Sequence, residues 1–191
     1  MAVTSRDPAR QSQANRLSRL SLAMLATAFA AGIAAGAVSY VRRSPAVQGH
    51  VAGSNGIAFE IVVAVVSVAV VAGVQVWQAR RPRSAGYSLW TAPLRVNAMS
   101  RLGLTLRIGC GFRVPDLIRA PAVLLVLLIA LYSPFRMGEQ VIGGLDPSST
   151  VNAWGGPTYL GALLAHWLDA IVIFYVAAFV LKSLLVTTGR R

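Results

Sequence analysis

At 191 residues the chain has room for one ordinary domain, but 55% of it is hydrophobic and 13% charged, which excludes a soluble globular domain of usual make-up. The net charge of +12 would suit a nucleic-acid binder. The basic residues flank apolar runs, however, so membrane orientation and anionic lipid headgroups account for them and no nucleic-acid partner is expected. The single cysteine, Cys110, excludes an internal disulfide and an all-cysteine metal site.

Residues 1–19 carry Arg6, Arg10, Arg16 and Arg19 without an apolar period, and a disordered cytoplasmic tail is expected there. Residues 20–41 form the first apolar run. Arginines followed by apolar residues, with Ala28-Phe29-Ala30 and Ala35-Gly36-Ala37 as small-residue sites, also fit a signal peptide. Apolar regions of signal peptides are shorter, so an uncleaved spanning helix is expected instead. Ala28, Gly32 and Gly36 recur every four residues along it, a small-residue face of the kind that lets helices pack closely. The sequence leaves open whether its partner lies in this chain or another.

The second run, residues 57–77, is dense in valine and ends at Arg80, Arg81 and Arg83. A long basic connection, residues 78–114, follows. Within it Leu94, Val96, Leu102, Leu104, Leu106 and Ile108 fall at even positions, and Arg95, Arg101, Arg107 and Arg113 at odd ones. Period two predicts an amphipathic extended segment over 94–114 with its arginines on one face. Gly103, Gly109 and Gly111 speak against a helix. An irregular loop on the bilayer, leucines dipped in and arginines on phosphates, accounts for the same residues.

The third run spans 115–135, with Pro115 in the first turn, Arg119 able to snorkel to headgroups, and Pro134 marking the far end. The loop that follows is rich in turn signals: Gly143-Gly144, Asp146-Pro147 and Gly156-Pro157. It reads as a structured entry to the last helix, with Trp154 at headgroup level. A re-entrant stretch over 143–157 is the alternative and would need its backbone buried in protein. The fourth run, 159–186, begins after Thr158, a suitable N-cap.

Threading these four spans from an internal N-terminus leaves 4, 8 and 3 of the 18 basic residues in 1–19, 78–119 and 182–191. The external loops then hold Arg42, Arg43 and Arg136. Both termini are therefore expected in the cytoplasm. Arginine outnumbers lysine 17 to 1; orientation does not demand that ratio, which is read as the mark of a GC-rich bacterial genome. The expectation is an all-α, four-helix protein of a bacterial plasma membrane.

Three ionisable residues fall within the apolar runs: Glu60, His166 and Asp169. Charge at bilayer depth is costly, so each invites a functional reading. Glu60 lies about one turn from its helix end, within reach of headgroup water. Asp169 lies roughly 15 Å into the last helix, near mid-depth. His166 shares its face, and Ala162, Ala170 and Ala177 extend that face, which predicts that it points into a bundle or a subunit interface.

No paired-carboxylate site, phosphate loop or metal-ligand cluster occurs, and His50 and His166 are the only histidines. No catalytic residues, metal or cofactor are therefore expected. The sequence points to a non-catalytic accessory, scaffold or assembly subunit, with anionic lipid, other membrane subunits or its own copies as partners. The alternative is a transporter or channel component that handles protons or cations through His166 and Asp169 with Glu60.

Overall fold

The computed structural model describes residues 16–54, 57–80, 94–109 and 114–185. Their regular elements are all helices: α1 (Arg19–Val41), α2 (Ile57–Ala79), α3 (Val96–Gly109), α4 (Val114–Gly143), the single turn α5 (Pro147–Thr150) and α6 (Tyr159–Leu184). Three stretches, Arg19–Val41, Ile118–Gly143 and Tyr159–Leu184, are long and apolar enough to cross a membrane. Each exceeds the roughly 20 residues that a bilayer core requires. Only 17–22% of their apolar windows is buried inside the chain, so the chain leaves most of that apolar surface uncovered.

Two expectations are corrected here. Within the segment 94–114, expected to be extended, Val96–Gly109 is instead the helix α3, with no strand among the described residues; 110–113 lie outside the described residues. Its apolar residues obey both periods, because Leu102 and Leu106 are four apart and Met99 lies three before Leu102. Burial of that helical stripe decides between them. A Cβ on Gly103 would meet open space, and the glycine's cost of about 1 kcal/mol relative to alanine is outweighed by the packing. The third run, in turn, does not stop at Pro134 but continues to Gly143. Ser133, beside the proline, donates its hydroxyl to the Ile129 carbonyl one turn back (3.3 Å), a local adjustment of the kind that accompanies proline inside spanning helices.

The described residues divide into two compact units. The first holds the described residues 16–24, 94–109, 114–128 and 177–185. Its core joins Leu102 of α3, Val123 of α4 and Leu185, with Met99, Leu106, Leu127, Leu181 and Leu184 packed around them. Arg101 donates to the Leu185 carbonyl (3.0 Å), placing a cation where the end of α6 leaves its last carbonyls unpaired. Residues 16–18, expected in the tail, are ordered by pairing with 94–96: the Ser18 amide donates to the Leu94 carbonyl (2.7 Å) and the Val96 amide to the Arg16 carbonyl (3.1 Å). The Ser18 hydroxyl then accepts from the Ser21 amide (3.3 Å), capping α1.

The second unit draws on Leu25–Pro82 and Ile129–Val176. In it α1 and α4 touch backbone to backbone. A Cβ on Gly32 would land on the Phe135 carbonyl, one on Gly36 on the Glu139 carbonyl, and one on Gly138 on the Phe29 carbonyl. The loop after α1 is clasped to the segment around α5 through Asn152, which accepts from the Val51 amide (2.8 Å) and the Ser54 hydroxyl (3.1 Å) and donates to the Gly49 carbonyl (3.1 Å). His50 Nδ1 lies 3.0 Å from the Val151 carbonyl oxygen.

Two glycines should respond in opposite ways to the same substitution. Gly32→Ala is expected to lower stability by about 1–3 kcal/mol by overpacking, whereas Gly103→Ala should raise it by about 0.5–1 kcal/mol through backbone entropy. Thermal unfolding in detergent reads both; equal shifts would refute the backbone contact. Asn152→Ala should leave the helices intact but speed hydrogen exchange at the Val51 amide, for a local loss of about 1–3 kcal/mol.

Candidate functional site

Helix α6 carries the two intramembrane polar residues read from the sequence, and its position within the second unit is fixed at several points. Thr158 caps it, its hydroxyl oxygen accepting from the Gly161 amide (3.1 Å). Gly155, with φ +74°, brings the preceding turn onto the first turn of the helix, where a Cβ would strike the Gly161 carbonyl. No L side chain would suit that φ or that space. The Tyr159 hydroxyl donates to the Val141 carbonyl (2.9 Å), and Trp167 Nε1 donates to the Met137 carbonyl (3.0 Å). Together these two bonds set α6 antiparallel to α4, with His166 at the level of residues 136–138.

That register assembles a charged cluster. Arg136 and Glu139, expected in an external loop, instead lie within α4, three residues apart and ion-paired. By this register His166 lies at the level of Arg136 on α4 and three residues from Asp169 on its own helix. An isolated charge in a spanning helix costs about 2.5–3.5 kcal/mol on insertion scales. The Arg136–Glu139 pair offsets part of that cost for both its members. No hydrogen bond or ion pair reaches the Asp169 carboxyl among the described residues, and His166, three residues back on the same helix, is the ionisable group beside it.

Asp169 belongs to a second feature as well. His166 and Asp169 are three residues apart and so point about 60° apart around the helix. Asp169 lies in the wall of an open groove between α2 and α6, of about 390 Å³, whose lining does not include His166. Phe59, Ile61, Val63 and Ala64 form one side, and Gly161, Leu164, Ala165 and Leu168 the other. Phe59 packs edge-on against Trp154, with ring centroids 4.9 Å apart. Asp169 is the one ionisable residue in this lining.

The other residues singled out from the sequence fall in several places. Glu60 lies in α2, and its side chain is outside the described residues. Ala162 and Ala170 are buried in the second unit and Ala177 in the first, so the small-residue face divides between the two. Gly32 and Gly36 meet α4 of the same chain, and Ala28, one turn earlier, is half-buried. Among the basic residues, Arg95 is buried in the first unit, Arg101 binds the Leu185 carbonyl, Arg119 is half-buried on α4 and Arg80 is exposed after α2. Arg81, Arg83 and Arg113 lie outside the described residues, as does the Arg107 side chain.

The sequence reading missed Arg136, Glu139 and Trp167 as parts of the site. A signal for the first two existed: opposite charges at i, i+3, followed by Val141 and Ile142, fit a continuing helix. Pro134 obscured it. Among the described residues no group of three or more histidine, cysteine or acidic side chains is placed to hold a metal ion. The chain matches no protein-family model, no curated protein and no solved structure.

Proposed function

We propose that this chain is a non-catalytic, multi-pass subunit of a larger membrane complex, acting as an accessory, scaffold or assembly component. The observation that carries the reading is Asp169 in the wall of an open apolar groove. A carboxyl at that depth is costly in lipid, and a neighbouring subunit relieves the cost by covering it. In this reading α2, dense in exposed valine at positions 62, 65, 66 and 70, is a fourth span. Both termini and the basic segment 78–119 lie in the cytoplasm of a bacterial cell, where its arginines meet anionic headgroups.

A second reading has its own support. Arg136, Glu139, His166 and Asp169 form a run of ionisable groups on α4 and α6, the kind of chain that carries protons or cations in transporters. Glu60 would extend it from α2.

One experiment separates the two. The tagged protein is captured from its own membranes in mild detergent, and the same preparation is reconstituted for proton and cation flux. The accessory reading expects a stoichiometric partner and no flux. Flux by the chain alone, lost in Asp169→Asn with insertion unchanged, would transfer the function to transport. Orientation is tested by cysteine labelling in a Cys110→Ser background. A cysteine at Gln48 should react with an impermeant maleimide from outside intact cells, and one at Ser100 only after lysis; the reverse pattern would invert the topology.

A further inference from the structure

We propose that the groove between α2 and α6 receives a transmembrane helix of a partner subunit, seated so that a basic side chain of that helix pairs with Asp169. The inference rests on the accessory-subunit reading and names the chemistry of its partner. Three properties of the groove point to this occupant. Its walls are apolar and stand open: Ile61 is 57% and Leu164 64% exposed. A small molecule in so open a groove would keep much of its surface uncovered, whereas bound ligands are usually mostly buried. A ridge of side chains on a passing helix fills such a groove along its length.

Small side chains let helix backbones draw together in a bilayer, and Ala64 on the α2 wall is such a residue; Gly161 and Ala165 on the α6 wall are already covered by the Gly155 turn. The third property is charge. Asp169 is ionisable, no hydrogen bond or ion pair reaches it among the described residues, and the groove wall it stands in is otherwise apolar, with His166 on the same helix as the one basic group beside it. A lipid chain would match the walls but leave the carboxyl facing hydrocarbon. A lysine or arginine would match both.

A second copy of this chain fits less well. The cation deep in its described spans, Arg136, is already engaged by Glu139. Arg119 and Lys182 lie near the ends of their helices, so the proposed complement of Asp169 is a different sequence with its basic residue near mid-span.

The test uses the full-length protein in proteoliposomes, donor-labelled, with acceptor-labelled leucine–alanine peptides of about 20 residues. One peptide carries a central lysine, and the control carries leucine there. The lysine peptide should associate about tenfold more tightly than the control. Asp169→Asn, which is nearly isosteric, should erase that preference, and Asp169→Glu should restore it. Ile61→Trp, which fills the groove from an exposed position, should weaken the lysine peptide although the carboxylate remains. Equal binding of both peptides, or a preference that survives Asp169→Asn, would overturn the proposal. So would energy transfer between two labelled copies that Ile61→Trp abolishes, since it would give the groove to a second copy. Capture from native membranes keeps the two levels apart: a partner held equally by wild type and Asp169→Asn preserves the accessory role and removes this site from it.

Discussion

The contact between α1 and α4 is the constraint on which the second unit depends. Gly32, Gly36 and Gly138 let two helix backbones meet with no side chain between them. In a bilayer, lipid tails are as apolar as leucine, so helices gain little from burying apolar surface against each other. Close van der Waals contact and short polar contacts must supply the association instead. Glycine removes the side chain that would hold the helices apart. The Glu139 backbone lies against both Gly32 and Gly36, so the same contact fixes the height and rotation of α4 where its ion pair sits.

From that fixed helix the rest of the site follows by register. Trp167 and Tyr159 bind carbonyls of α4, and these two bonds decide which residues of α6 face Arg136 and Glu139. His166 falls on that side. Asp169, about 60° further round, falls at the border of the α2 groove instead. One polar stripe on a helical wheel thus serves two surroundings, one charged and one apolar. The two residues need not share a role merely because they share a face.

The apolar runs were legible in the sequence because length and hydropathy alone define them: 20–41 and 159–186 correspond closely to α1 and α6. The partner of the Gly32 face was not, because a small-residue pattern marks a surface without marking what covers it. Pro134 was read as an end because proline lacks an amide hydrogen, but one missing bond does not stop a helix that packing holds on both sides. Segment 94–114 failed for a different reason. Its leucines fit two periods equally, and only the burial of Leu102 with Val123 and Leu185 selects the helix. Asp169 was found as an expensive residue, but its groove depends on α2, which no local pattern on α6 could reveal.

The bond from Arg101 to the Leu185 carbonyl bridges 84 positions of sequence, and this separation has a consequence for biosynthesis. A chain emerging from the ribosome completes α3 long before α6. Until residues 181–185 arrive, the Met99–Leu102–Leu106 stripe lacks part of its cover and α3 is an exposed amphipathic helix. The nascent chain therefore carries an incompletely covered amphipathic helix until the end of α6 has been made. Closure of the first unit then coincides with delivery of the last span, so its core forms only in chains whose synthesis has passed that point.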